Sequence, residues 1–145
     1  NFHNTMFRLL EFGVLPVINE NDTVATEEIV IGDNDTLGAI VAANVDADLL
    51  ILLSDIDGLY TADPHKDPSA RLIPHVEKLD ESIYALAGVS SSGQGTGGMV
   101  TKLHAAKICM ECGCAMVIAN GSEPGNLYDI LDGKEVGTRF GEGKQ

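Results

Sequence analysis

The chain has 145 residues, 44% of them hydrophobic and 21% charged, a composition typical of one globular domain. Its 9 basic and 22 acidic residues give a formal net charge of −13, which argues against nucleic acid and anionic membrane surfaces as partners. No apolar run approaches the roughly 20 residues that span a bilayer, and no signal peptide is visible in the sequence given.

The first predicted elements are a helix and two strands. Residues 4–12 place apolar side chains at helical spacing, and Gly13 stands where a helix-ending glycine belongs. Residues 14–18 predict a short buried strand, whose carboxyl end delivers the polar residues 19–22. Residues 27–31 predict one strand of a small hairpin.

A helix and a strand follow the polar segment Gly32-Asp33-Asn34-Asp35. Residues 36–44, rich in Ala, Leu and Val, predict the helix. The continuous apolar run at 49–53 is typical of a central parallel strand that is buried on both faces. It ends in the polar segment 54–58, and an irregular stretch over 63–74 comes next.

The remaining chain alternates between helices and strands around a Gly/Ser-rich loop. The predicted elements are helices at 80–87, 99–112 and 125–131 and strands at 115–119 and 138–140. This alternation predicts an α/β fold, a mostly parallel sheet with helices on both faces. Ligands bind such sheets beyond the carboxyl ends of the strands, where the polar clusters 19–22, 54–58 and 120–122 fall.

The segment Thr96-Gly97-Gly98-Met99-Val100-Thr101-Lys102 is the most informative about function. Glycines let backbone N–H groups approach a ligand, and the start of the following helix carries unpaired N–H groups and partial positive charge. Together they predict a phosphate site, with Lys102 as a mobile full charge. The alternative interpretation is a flexible surface loop before an ordinary helix.

Two better-known glycine motifs fit this segment less well. Gly93-x-Gly95-x-x-Gly98 matches the dinucleotide fingerprint, but that motif should follow a strand directly, and residues 83–89 contain no apolar strand. A Rossmann-type dehydrogenase is therefore disfavoured. The Walker A pattern also fails, because Lys102 lies four residues beyond the last glycine instead of adjoining it.

Two acidic clusters are candidates for chemistry. Asp33-Asn34-Asp35 precedes a helix, where one such residue is explained as an N-cap, but three in a row indicate a site for a small zwitterion. The carboxylates would bind its ammonium group, and the amide its carboxylate. Asp55 directly follows a buried strand and needs a partner there, for which Lys102 or a metal ion shared with phosphate is predicted. The alternative is a turn residue.

The cysteines and histidines predict no metal site. The three cysteines cluster within residues 109–114, and no second Cys pair offers a fourth ligand. We interpret them as buried reduced thiols, which suits the cytosol. The four histidines show neither metal-ligand spacing nor the context of a catalytic nucleophile.

Four segments resemble the amino acid kinase family, and the resemblance runs in order from residue 1 to about 140. The segments are 17–22, 32–35, 52–64 and 95–103. The pair Asn-Glu-Asn-Asp and Gly-Asp-Asn-Asp is similar to the members that phosphorylate the side-chain carboxylate of L-glutamate. The resemblance implies an α/β/α sandwich of which residues 1–140 form the C-terminal, nucleotide-binding portion, followed by a tail over 141–145.

The implied activity is transfer of the γ-phosphoryl group of ATP, with Mg²⁺, to L-glutamate in the first step of proline biosynthesis, by a cytoplasmic homo-oligomer. The family's second phosphate-binding lysine has no counterpart here, so we expect the 145 residues alone to bind nucleotide weakly and not to turn over. The alternatives are another family member acting on acetylglutamate, aspartate, carbamate or UMP, or a non-catalytic nucleotide-binding fragment.

The resemblance also implies roles for individual residues. Lys102 and Asp55 are implied to be catalytic, with Asp55 orienting Lys102. Glutamate binding is implied for Asp22, Asn34, Asp33 and Asp35. ATP binding is implied for Ser54, Asp55, Thr96, Gly97, Gly98, Met99, Val100, Thr101 and Lys102, and contacts near the nucleoside for Tyr60 and Asp63. No protein ligand to a metal is implied.

Overall fold

The computed structural model describes residues 1–19, 33–88 and 98–144. Its helices are α1 (Phe2–Glu11), α2 (Asn34–Asn44), α3 (Glu81–Leu86), α4 (Gly98–Glu111) and α5 (Asn126–Leu131), and its strands are β1 (Leu49–Ser54), β2 (His75–Val76), β3 (Ala115–Asn120) and β4 (Thr138–Phe140). The predicted strand at 27–31 lies outside the described residues. No helix within the described ranges is long and apolar enough to cross a membrane.

The four strands form one sheet in the order β1-β3-β4-β2. β1 pairs with β3 and β2 pairs with β4 in parallel, whereas β3 and β4 are antiparallel. Successive side chains of a strand point to opposite faces, so Met116 and Ile118 of β3 face one layer and Val117 and Ala119 the other. This mostly parallel sheet with helices on both faces confirms the predicted α/β class.

The main core lies between the sheet and helices α2 and α4. Leu103, Met116, Ile118 and Phe140 are fully buried there, and Ala39 of α2 lies in the same cluster. On the opposite face a smaller cluster joins Ile130 of α5 to β3. Helices α2 and α4 pack against each other, and hydrogen bonds from Thr101 and Lys102 to Asp35 join them near their N-terminal ends.

Capping explains where the predicted helices begin and end. The carboxylate of Asp80 accepts a hydrogen bond from the backbone N–H of Ile83 at the start of α3. At the end of α1, the N–H of Val14 donates to the carbonyl of Leu9 at 3.0 Å, and Gly13 adopts a left-handed φ of 70°. These contacts form the Schellman motif that a C-terminal glycine predicts.

Two strand predictions need correction, and one short strand was missed. Residues 14–18 form no strand, and Val17 is 91% exposed, because nothing among the described residues pairs with this segment. β1 lies at the edge of the described sheet instead of its centre, and Leu53 is 47% exposed. The two-residue strand β2 was not predicted, since two residues are too short to show a period.

Candidate functional site

The carboxyl ends of β1 and β3 meet at one edge of the sheet, as the two polar clusters predict. Ser54 and Asn120, the last residues of these strands, are register partners. The side-chain amide of Asn120 donates to Asp57 Oδ1 at 3.0 Å, which joins cluster 54–58 to cluster 120–122. Of the third polar cluster, residues 20–22, which include Asp22, lie outside the described ranges.

A cleft of about 550 Å³ opens beside this edge, bounded by the end of β1, the loop after it, the end of α3 and the start of α4. Its lining is mainly apolar with several polar side chains, the character usual for small-molecule sites. The sequence-predicted residues that line it are Ser54, Asp55, Tyr60, Asp63, Gly98, Met99 and Lys102. Val100 and Thr101 follow in the first turn of α4.

Lys102 is held at this cleft by a carboxylate. Its Nζ lies 3.0 Å from Asp35 Oδ2, and the two side chains are only 12% and 23% exposed. The pair depends on the packing of α2 on α4, because Asp35 lies near the start of α2 and Lys102 near the start of α4. The expectation that Asp55 orients Lys102 was wrong: Asp55 is exposed and its Oδ1 accepts from Ser54 Oγ at 3.2 Å.

Asp35 receives a second hydrogen bond from α4. The hydroxyl of Thr101 donates to Asp35 Oδ2 at 2.7 Å. A half-buried carboxylate is costly unless it is paired and hydrogen-bonded, and here one oxygen has both an ammonium and a hydroxyl donor. The sequence named Asp35 as a supporting residue for glutamate, whereas the structure joins it to the lysine.

Asp33 and Asn34 have different surroundings. Asp33 is the N-cap of α2, and its two carboxylate oxygens accept from the backbone N–H and the hydroxyl of Thr36, at 2.6 Å and 2.8 Å. Asn34 is exposed, and within the described part of the chain no group hydrogen-bonds to its amide. As far as the described residues go, the amide of Asn34 is therefore open to a ligand, whereas both oxygens of Asp33 are engaged.

A network around Asp57 holds one wall of the cleft. The Tyr60 hydroxyl donates to Asp57 Oδ2 at 2.9 Å, and this bond raises the pKa of Tyr60. Asn120, the second partner of Asp57, is itself held by the N–H and hydroxyl of Ser122. Sequence reasoning did not single out Asp57 or Asn120, although both lie in the polar clusters that follow β1 and β3.

The cysteine cluster is structural. Cys109 and Cys114 are buried, and burial raises the pKa of the Cys109 thiol to about 12 and also raises that of Cys114. Thiols of this kind stay protonated and unreactive. Cys112, which was also expected to be buried, is exposed. No group of three His, Cys, Asp or Glu side chains in the described ranges could hold a metal ion.

Two predicted site residues beyond Asp22 cannot be placed. Thr96 and Gly97 lie outside the described residues, as does the rest of the glycine run before Gly98. Their roles stay predictions, and so does the assignment of Asp22 to glutamate binding.

Comparison with known proteins gives a family and a set of close relatives. The amino acid kinase family matches residues 1–120. Glutamate 5-kinase from Carboxydothermus hydrogenoformans is 59% identical over 140 residues, which cover 97% of this chain and 37% of the relative. Glutamate 5-kinase from Lactiplantibacillus plantarum is 52% identical over 145 residues, covering 97% of this chain and 55% of the relative. The chain thus spans between a third and somewhat over half of these relatives.

Solved structures support the fold. UMP kinase from Ureaplasma parvum superposes with a TM-score of 0.69 at 19% identity, over 97% of this chain and 53% of that chain. Carbamate kinase from Giardia lamblia bound to AMP-PNP gives a TM-score of 0.66 at 24% identity, over 97% of this chain and 49% of that chain. At these identities the likeness concerns the fold alone.

Proposed function

Because the chain belongs to the amino acid kinase family, we propose that it carries the ATP-binding part of an enzyme that phosphorylates the side-chain carboxylate of L-glutamate. The single observation that carries the proposal is the ion pair between Asp35 and Lys102, which lines the cleft. It joins the polar start of α2 to the lysine that is predicted to bind phosphate. The identity to glutamate 5-kinases supports L-glutamate as the acceptor.

On the donor side, the cleft offers separate surfaces for the parts of a nucleotide. The apolar lining residues, among them Leu59, Leu86 and Met99, suit a base, and Tyr60 and Asp63 also line the cleft. Lys102 provides a fixed positive charge for the phosphates. Phosphoryl transfer depends mainly on positioning and charge neutralisation, so an ammonium held in a partly buried site stabilises the charge on the transferring group.

Mg²⁺ is implied by ATP chemistry, and the residues present fit it in a limited way. Ser54 and Asp55 offer oxygen atoms at the cleft, and oxygen is the ligand that Mg²⁺ prefers. With no three-residue acidic cluster in the described ranges, these oxygens would contact an ion that is held mainly by ATP phosphates. When bound, Mg²⁺ neutralises phosphate charge.

On the acceptor side, the start of α2 is the proposed glutamate site. The γ-carboxylate of glutamate is already a nucleophile, so the reaction needs no general base. The exposed amide of Asn34 would bind a carboxylate of the acceptor. Asp35, the next residue of α2, pairs with Lys102, which lines the cleft proposed for ATP. A cytoplasmic location and a homo-oligomeric state stay predictions.

The test is a chimera of the Carboxydothermus hydrogenoformans enzyme in which the matching 140 residues are replaced by those of this chain. ADP release from ATP and Mg²⁺ is measured with L-glutamate, and with acetylglutamate, aspartate and UMP in parallel reactions. Hydroxylamine traps the acyl phosphates of the carboxylate acceptors as hydroxamates, which identifies the product. We expect turnover with L-glutamate alone. Lys102→Ala should lower kcat by at least about a hundredfold, the loss typical of one group that stabilises transition-state charge.

Lys102→Arg is the matched control, because it keeps the charge but changes its shape and position. It should retain more activity than Lys102→Ala. A chimera that folds, as judged by cooperative thermal unfolding, yet prefers another acceptor or none would overturn the proposal. Equal kcat values for the parent chimera and Lys102→Ala would do the same.

A further inference from the structure

Thr101 has a side-chain contact that the family resemblance does not imply. Its hydroxyl oxygen lies 2.7 Å from Asp35 Oδ2 and 2.9 Å from the carbonyl oxygen of Gly98. A threonine hydroxyl has one proton and can donate to one acceptor at a time. A carboxylate is the stronger acceptor because the hydrogen bond is charge-assisted, so the proton is directed at Asp35.

The Oδ2 atom of Asp35 therefore has two donors from consecutive residues of α4, the hydroxyl of Thr101 and the ammonium of Lys102. Two donors on one oxygen fix the torsion of the carboxylate more tightly than the flexible lysine could alone. The lysine stem has several rotatable bonds, whereas the threonine hydroxyl is attached to a β-branched side chain with few rotamers on a helix. Thr101, with the shorter and stiffer side chain, therefore orients the carboxylate of Asp35 better than Lys102 does.

Thr101 does not line the cleft that holds Lys102, Ser54 and Asp55. Its hydroxyl faces α2 instead, in the packed region between the two helices. A side chain that contacts ATP should reach the cleft. Lys102 does so and Thr101 does not, which indicates different functions for these two neighbours.

We propose that Thr101 is a positioning residue, which orients Asp35 so that Asp35 holds Lys102 in the place where the phosphoryl group is transferred. This inference rests on the proposed function of the site. Thr101 thereby links the acceptor-side start of α2 to the donor-side start of α4 through a single carboxylate oxygen. It replaces the ATP-binding role that the resemblance implied for this side chain.

The experiment compares Thr101→Val and Thr101→Ser in the chimera described above. Valine keeps the shape and removes the hydroxyl, whereas serine keeps the hydroxyl. We expect Thr101→Val to lower kcat by about tenfold to a hundredfold, as for loss of a hydrogen bond to a charged group, with the KM for ATP unchanged. Thr101→Ser should restore kcat to within about threefold of the parent, because it keeps that hydrogen bond.

The split between kcat and KM distinguishes the possible roles of Thr101. A raised KM for ATP at unchanged kcat would show that Thr101 contacts the nucleotide, and it would overturn the inference. Equal values of kcat and KM for Thr101→Val and the parent chimera would overturn the inference as well. If the parent chimera has no activity with glutamate, that result contradicts the proposed function and not the role of Thr101.

A second measurement tests the contact whether or not the chimera turns over. Thr101→Val and Asp35→Ala are combined in a double-mutant cycle on the free energy of unfolding. Non-additive effects are expected, because each substitution removes the same hydrogen bond. Additive effects would show that the two side chains do not interact in solution, and the inference would fall.

Discussion

Asp33, Asn34 and Asp35 are consecutive, yet each side chain has a different partner. Both oxygens of Asp33 are engaged by Thr36, Asn34 is exposed, and Asp35 binds the two donors on α4. The difference follows from helix geometry, because neighbouring residues at a helix start point about 100° apart. These three residues thus supply a helix cap, an exposed side-chain amide and the partner of Lys102.

The assignment of these roles predicts separable effects in the chimera. Asp33→Ala should lower the free energy of unfolding by about 1 kcal/mol because it removes an N-cap, and Asp33→Ser should recover most of this loss. Asn34→Ala should leave stability unchanged within about 0.5 kcal/mol, as for an exposed side chain, while raising the KM for glutamate. Urea denaturation and steady-state kinetics measure the two quantities. If Asn34→Ala lowered the free energy of unfolding and left the KM for glutamate unchanged, the assignment of Asn34 to glutamate binding would be contradicted.

At the scale of elements, Gly137 fixes how β4 approaches β3. It has a left-handed φ of 65°, and a Cβ atom placed there would lie 1.8 Å from the carbonyl oxygen of Ile118 and 3.0 Å from that of Asp57. Gly133 has a similar φ of 79° but open space around it. The two glycines therefore share a backbone conformation and differ in steric surroundings.

This contrast predicts different costs for the same substitution. Gly133→Ala should cost about 1–2 kcal/mol of unfolding free energy, the penalty of a left-handed backbone for a residue with a Cβ. Gly137→Ala should cost clearly more, because β4 must also move away from β3 and from the loop that carries Asp57. Urea denaturation of both variants measures the difference, and equal costs would contradict the close approach.

The helices could be predicted from the sequence because their signals are local. The caps Asp33 and Asp80 and the terminal Gly13 each stand within a few residues of the end that they specify. Strand pairing decides that β1 lies at an edge of the described sheet and that residues 14–18 form no strand. The sequence of neither segment contains that information. The pairing of Lys102 with Asp35 is equally non-local, because it follows from the packing of α2 on α4.

At the scale of the whole molecule, the net charge of −13 opposes the binding of a free nucleotide anion. Lys102 is the one Lys or Arg side chain among the residues that line the described cleft, and its charge is already balanced by Asp35. A nucleotide whose charge is partly neutralised should therefore bind better than the bare anion.

Calorimetric titration of the chimera with ATP, in Mg²⁺ and then in excess EDTA, tests this expectation. We expect affinity to fall by about tenfold without Mg²⁺, within the range by which an unfavourable field affects a charged ligand. Titration with adenosine is the control, since an uncharged ligand should bind equally in both buffers. Equal affinities for ATP would show that the acidic surface does not act on the cleft.

The pair between Lys102 and Asp35 also has an entropic consequence. A free lysine side chain loses up to about 2 kcal/mol of rotamer freedom when it is immobilised. Folding has already confined this one, with 12% of its side chain exposed. A ligand that binds the ammonium therefore contacts a preorganised group. Its binding free energy loses little to the immobilisation of the lysine side chain.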